Sequence, residues 1–321
     1  MNVLPRIALC TSLAVMGVLI LAGSQSKFTS SSSFVSAAVA AAQDQAPPAD
    51  QGPDPAAGNM APSGPSYTTQ APPPPDQSAA PGQPPDDSGY AEQPTQTEDQ
   101  PPPPLPDYQQ PPPPADDYIW TPGYWAWGPS GYYWVPGAWV EPPYVGALWT
   151  PGYWGFYGGR YLFYPGHWGL HIGFYGGINY GFGYVGLGYE GGYWHGPHFF
   201  YNRVYNNINA RVVHNVYSYH ANVRVQNVPR ASYRGGPGGV QAQPRASEGA
   251  AWHEPTAPRM SSQTQHMQNY SNVRGQYANE NHGRPASPAI SRPLPADRNV
   301  KPAQRGQNQG GSKGKGDQHH Q

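Results

Sequence analysis

The sequence predicts an all-β fold: a small antiparallel meander of short aromatic-rich strands, flanked by long disordered Pro-rich and basic polar regions. Three observations predict it. A unit of the form W-x-P-G-x-W occurs four times, starting at Trp120, Trp134, Trp149 and Phe163. Further turn residues fall between the copies, so reversals are signalled about every seven residues, the rhythm of short antiparallel strands. The 321 residues include 42 Pro and 40 Gly, and away from this span little apolar surface is left to offset the entropy of ordering.

Residues 1–42 read as an export signal or an N-terminal anchor. Arg6 supplies the positive start, Ile7 to Ala22 is an uncharged apolar run, and small residues follow. The run is slightly short for a comfortable membrane span. A-x-A sites fall at Ala38-Val39-Ala40 and Ala40-Ala41-Ala42, a long way from the apolar run, which leaves cleavage near Ala22-Gly23-Ser24 or retention as an anchor as the alternatives. Leu21-Ala22-Gly23 resembles the start of a lipobox, but Ser24 stands where the lipidated Cys would be, so a lipoprotein is not expected. Cys10, the one cysteine, lies in this leader. The rest of the chain therefore has no disulfide, thiolate zinc site or cysteine nucleophile.

Residues 43–117 read as a disordered acidic linker with the runs Pro72–Pro75, Pro101–Pro104 and Pro111–Pro114. Such runs favour polyproline II, about 3.1 Å per residue. Between Phe28 and Gly159 there are thirteen acids and no Lys or Arg; from Tyr201 onward there are fifteen Lys and Arg against five acids. The net charge of −1 thus hides oppositely charged flanks, able to attract each other in a salt-dependent way or simply to remain solvated.

Residues 118–168 are the repeat meander. Pro122-Gly123, Pro136-Gly137, Pro151-Gly152 and Pro165-Gly166 suit the middle of type II turns, with Pro presetting φ and Gly supplying a positive φ. On that reading the tryptophans beside each turn, Trp120 with Trp125, Trp134 with Trp139 and Trp149 with Trp154, face each other across strands. Second turns lie at Gly128 to Gly131, Pro142 to Gly146 and Tyr157 to Gly159.

These phased residues resemble the YXWGXW (WXXGXW) repeat proteins of bacteria. The resemblance rests on Trp120/Pro122/Gly123/Trp125, Tyr132/Trp134/Pro136/Gly137/Trp139, Trp149/Pro151/Gly152/Trp154 and Tyr161/Phe163/Pro165/Gly166/Trp168. Ser232 to Gly239 and Asn281 to Pro285 are similar to segments found downstream of such repeats. The resemblance implies an exported envelope protein without an assigned activity.

Residues 169–228 form a Gly/Tyr-rich and β-like extension. Gly alternating with large residues either extends the meander with one bulky and one bare strand face or forms a flexible, self-associating aromatic tract. Val204, Ile208, Val212 and Val216 on one parity, and Val213, Tyr217, Tyr219, Val223 and Val225 on the other, predict two or three strands. Residues 229–321 read as a basic low-complexity tail with a weak amphipathic helix candidate at 260–280.

No nucleophile elbow, phosphate loop, zinc-protease motif or nucleotide fingerprint is present, so no enzyme is predicted and no cofactor. The only acids of the aromatic region, Glu141 and Glu190, are the sole candidate glycosidase pair. His167/His171 and His195/His198, with His214 and His220, could ligate a metal, but a spacing of three on a strand separates the rings, and no metal site is assigned. The candidate contact surface is aromatic: Trp120, Trp125, Trp134, Trp139, Trp149, Trp154 and Trp168. These rings pack as a core, stack on cell-wall glycan or peptidoglycan, or mediate self-association and contact with other envelope proteins. Exposed faces are expected among them, because small domains bury a limited share of their surface. Nucleic acid is not expected as a partner of an exported chain, and membrane contact is confined to the N-terminal segment if it is uncleaved.

Overall fold

The computed structural model describes residues 52–63, 93–222 and 230–297. The chain divides into Met1–Ala46 and Pro47–Gln321, and every described residue belongs to the second unit. The leader at 1–42, Pro72–Pro75, Val223 with Val225 and the tail beyond 297 lie outside the described residues.

Two long hairpins carry the four repeats. A short strand β1 (Gln96–Glu98) precedes them. In the first hairpin β2 (Ile119–Thr121) pairs with β5 (Ala138–Val140), and β3 (Tyr124–Gly128) with β4 (Gly131–Val135). Trp120 opposes Trp139 and Trp125 opposes Trp134 in one continuous register. In the second, β6 (Leu148–Thr150) pairs with β9 (His167–Gly169), and β7 (Tyr153–Tyr157) with β8 (Arg160–Tyr164). Trp149 opposes Trp168 and Trp154 opposes Phe163. The protein is all-β at its centre, built from small antiparallel sheets with aromatic clusters between them.

The role expected for Pro-Gly is corrected. The chain passes through each Pro-Gly without reversing, and within each hairpin it turns back between β3 and β4 or between β7 and β8. Positive φ occurs at Gly131, Gly158 and Gly159 but not at Gly123, Gly137, Gly152 or Gly166. These are therefore not type II turns, and Trp120 and Trp125 do not face each other. Proline cannot donate to a ladder, so each Pro-Gly interrupts the pairing of a long arm at its middle.

The flanks also differ from expectation. Residues 93–117, expected within a disordered linker, lie ordered against the repeats, with β1 paired to β8. Residues 230–297, expected within a low-complexity tail, wrap the other side. There β15 (Tyr233–Arg234) runs parallel to β7, and β16 (Ala257–Pro258) lies against β9. The helices α1 (Ala246–Ala251), α2 (Ser261–Ser271) and α3 (Ala278–Asn281) follow the same surface. Within the 260–280 candidate the helix breaks after Ser271. Neither flank has enough apolar surface for a core of its own, and each orders by covering the tryptophan frame.

The extension at 169–228 holds β10 (Asn179–Gly181), β11 (Tyr184–Val185), β12 (Gly192–His195), β13 (His198–Asn202) and β14 (Val216–Tyr217). Long alternating strands are not formed. Left-handed glycines such as Gly176 and Gly183 bend the chain so that Tyr175, Tyr180, Tyr184 and Tyr189 point into the core. Among the described residues no helix is long and apolar enough to cross a membrane.

Candidate functional site

The site the sequence singles out is the tryptophan frame, and its logic begins at the Pro-Gly step. Each glycine lies beneath an aromatic ring from the opposite arm. A Cβ on Gly137 would stand 2.6 Å from Cζ2 of Trp120, and one on Gly166 would stand 2.5 Å from Cζ2 of Trp149. Gly123 lies in the same way under Trp134, and Gly152 under Phe163. Glycine is needed here for space, not for an unusual φ. The preceding prolines Pro122, Pro136, Pro151 and Pro165 hold each arm extended while leaving the ladder open at that point.

Four cross-strand aromatic pairs result, with centroids 5.3 Å apart for Trp120–Trp139, 5.2 Å for Trp125–Trp134, 5.1 Å for Trp149–Trp168 and 5.1 Å for Trp154–Phe163. Their interplanar angles, from 46° to 71°, are the tilted to edge-on arrangements that ring quadrupoles favour, each contributing about 0.5–1.5 kcal/mol beyond burial. The two hairpins repeat one another, Trp120 corresponding to Trp149 and Trp125 to Trp154. Trp154 Nε1 donates to Trp125 O at 2.8 Å. The Tyr184 hydroxyl reaches the matching carbonyls of Trp120 and Trp149, at 3.2 and 2.9 Å. Trp154→Phe keeps the ring pair and removes the buried donor. It is expected to lower stability by about 1–2 kcal/mol in a urea titration; an unchanged midpoint would show that the bond between the hairpins contributes nothing.

The expected exposed tryptophan surface is not formed. Trp120, Trp125, Trp134, Trp139, Trp149, Trp154 and Trp168 are each at most 7% exposed. Their edges are occupied by the flanks instead. Trp125 Nε1 donates to Pro104 O at 3.1 Å and Trp139 Nε1 to Pro111 O at 2.7 Å. On the opposite side Trp134 Nε1 donates to Pro288 O at 2.9 Å, and Trp168 Nε1 to Gln263 Oε1 at 2.9 Å. Trp120 Nε1 is buried without a hydrogen-bond partner among the described residues.

Polar side chains that the sequence did not flag dock the C-terminal wrap. Gln276 Nε2 donates to Trp134 O at 3.0 Å, and His266 Nε2 lies 2.9 Å from Pro136 O. Burial lowers the His266 pKa, against the opposing pull of the Pro136 carbonyl. Arg234 is buried, donates to Ala242 O at 3.0 Å and places its guanidinium 5.2 Å from the Phe174 ring centroid. Its position in the Tyr-Arg-Gly-Gly stretch was the one signal available for it. A cavity of about 30 Å³ lies where the Pro-Gly steps of the two hairpins meet α2, lined by Pro122, Pro136, Pro151, Gln263 and His266. That is room for about one water-sized occupant.

The candidate carboxylates occupy different settings. Glu141 is exposed and accepts a hydrogen bond from Ala296 N. Glu190 is 7% exposed, and its Oε2 has no hydrogen-bond partner among the described residues. Burial first, and the neighbouring Asp54 charge second, push its pKa up to about 7, against the pull of Arg245. The histidines meet carboxylates singly: His171 with Glu254 at 2.8 Å, His214 with Asp116 at 3.1 Å and His198 with Asp117 at 3.4 Å. Among the described residues no three His, Cys, Asp or Glu side chains converge as a metal site would require.

Residues 116–140, the first hairpin, match the family described as WXXGXW repeat, in two copies. No curated protein and no solved structure matches the chain.

Proposed function

We propose that this chain, which carries the WXXGXW repeat at 116–140, is a non-enzymatic exported envelope protein whose repeat module is a structural frame. The observation that carries the reading is the burial of all seven repeat tryptophans. Five of the indole N–H groups bind carbonyls or amides in the flanking segments or, for Trp154, the other hairpin. Stacking on a sugar ring needs an open aromatic face, and these faces already meet one another. A frame of this kind gives order to long polar segments that cannot fold alone. Its partners are then other envelope proteins, met through the covering segments. The leader, with Arg6 and the apolar run to Ala22, supports export, and Ser24 in place of a lipobox Cys supports a non-lipidated chain.

The test is fractionation of the producing cell with N-terminal sequencing of the isolated chain, together with near-ultraviolet circular dichroism. Recovery outside the cytoplasm with strong exciton-coupled tryptophan bands is the expected result. Cytoplasmic recovery would overturn export, and featureless near-ultraviolet spectra would overturn the frame.

One feature supports a second reading, glycan contact away from the repeats. Tyr193 and Phe200 stack at 5.6 Å and 20° on half-buried positions of β12 and β13, with exposed His195 edge-on to Phe200. On this reading peptidoglycan fragments perturb the intrinsic fluorescence, and Tyr193→Ala abolishes the effect while substitution of a buried repeat tryptophan acts only through folding.

A further inference from the structure

The segment 99–117 lies on the first hairpin as a bound polyproline helix would. Its burial runs close to a period of three: Pro102 and Leu105 are buried, with Pro106 beside Leu105, while Pro101, Pro104 and Asp107 are exposed, and after Tyr108 the pattern resumes with Gln110 and Pro113 buried and Gln109 and Pro112 exposed. Three residues per turn is the polyproline II repeat. Proline offers no N–H, so such a helix is recognised through its carbonyls, and here side-chain donors reach them. Tyr132 OH donates to Gln100 O at 2.7 Å, Ser232 Oγ to Pro103 O at 2.6 Å, Trp125 Nε1 to Pro104 O at 3.1 Å, Arg230 Nε to Leu105 O at 2.6 Å and Trp139 Nε1 to Pro111 O at 2.7 Å. Aromatic rings with outward N–H and O–H groups are the chemistry by which proline-rich segments are captured. The strap also sets Tyr108 between Phe182, 5.2 Å away, and Trp134, 6.0 Å away.

The strap joins β2 through a tight reversal at Asp116-Asp117. Asp117 has φ 67°, a left-handed conformation that L residues adopt at a cost. It is held there by its own carboxylate, which accepts from Phe199 N at 2.7 Å. The contacts of the strap thus lie on one side of a strained joint, and the groove on the other.

We infer that this groove is a polyproline-binding site, and that it takes the strap of a second copy of this chain when the Asp117 joint opens. In the exchanged pair every strap contact is remade between copies, so the groove contacts cancel and the joint decides the equilibrium. Opening releases the left-handed strain and gives up the Asp117–Phe199 bond. The inference is independent of where the chain resides.

The test uses the full chain. Asp117→Val makes the left-handed joint worse, because a β-branched residue is disfavoured there, and it removes the bond to Phe199 N. Both effects favour exchange, and the dimer-to-monomer ratio in light scattering is expected to rise by about tenfold or more. Asp117→Asn keeps an acceptor and tolerates the left-handed joint, so it is expected to stay close to the native ratio. A synthetic peptide of residues 99–116 in excess is expected to return the Asp117→Val dimer to monomer, and a scrambled peptide is not. The inference is overturned if Asp117→Val is monomeric at every concentration, or if its dimer ignores the strap peptide. Should Asp117→Val not fold, two differently tagged native chains are mixed at high concentration. Co-purification that the strap peptide blocks supports exchange, and its absence overturns it.

Discussion

Gly166→Ala is expected to destabilise the protein by about 3 kcal/mol. The added Cβ would lie 2.5 Å from Cζ2 of Trp149, 2.7 Å from Thr150 O and 2.8 Å from Gly152 N. Two of those neighbours are backbone atoms of the paired arm. They cannot swing away as the end of a flexible side chain would, so the arms must separate at their midpoint. That separation also pulls Trp149 away from Trp168, and with it one of the four cross-strand aromatic pairs. Gly58→Ala is the matched control, since a Cβ there meets nothing within 4 Å. Thermal unfolding followed in the near ultraviolet compares the two. A Gly166→Ala midpoint equal to that of Gly58→Ala would show that the Pro-Gly glycines serve some need other than close packing.

The second large effect depends on pH. Glu190 is buried beside Asp54, and its pKa stands at about 7 against an ordinary value of 4.5. A folded-state pKa above the unfolded one means that the folded protein prefers the protonated acid. The stabilisation is therefore complete below about pH 4.5 and is lost as pH rises through about 7. A tenfold change in proton affinity corresponds to about 1.4 kcal/mol, and partial solvation of the site reduces the whole effect to about 1–3 kcal/mol. Glu190→Gln removes the ionisation, so at pH 8 it is expected to be more stable than the native chain by about that amount. At pH 4 the two should be alike. The loss is expected to appear first in the short helical turn Pro55–Asn59, which Asp54 caps and Asn59 ties to Tyr189 O and Gly192 O at 2.9 and 2.8 Å. Urea titrations from pH 4 to 8, with amide exchange of that turn, provide the measurement. Parallel pH profiles for the native chain and Glu190→Gln would rule the mechanism out.

How the hairpins pair was partly visible in the repeat spacing. Copies begin at 120, 134, 149 and 163, so the interval is 14 within each hairpin and 15 between them. The turns inside the hairpins are compact and glycine-rich, whereas the link between them holds Glu141-Pro142-Pro143. Those two differences mark copies one and two, and copies three and four, as partners. The turn reading of Pro-Gly hid this, because Pro-Gly is a familiar reversal signal. A glycine needed for a left-handed φ and a glycine needed to admit an indole ring look the same in a sequence.

The flanks show the opposite limit. Periodicity and apolar content detect segments that carry their own core, and neither 93–117 nor 230–297 does. Their order depends on hydrogen bonds from distant donors: Trp125 to Pro104, Trp139 to Pro111, and Gln276 to Trp134 O across more than a hundred residues of chain. Nothing local in a proline run encodes the indole that will meet it.

The sequence by itself determined the position of the core, the β character of that core and the pairing of aromatic rings across strands. It did so because Trp, Pro and Gly at a fixed spacing restrict the backbone and concentrate apolar area in one place. Only the tertiary structure decided which tryptophans pair, that their faces are closed, and that the polar flanks cover them. Those outcomes depend on contacts between residues far apart in the chain, where a carbonyl finds its donor only after the frame has formed.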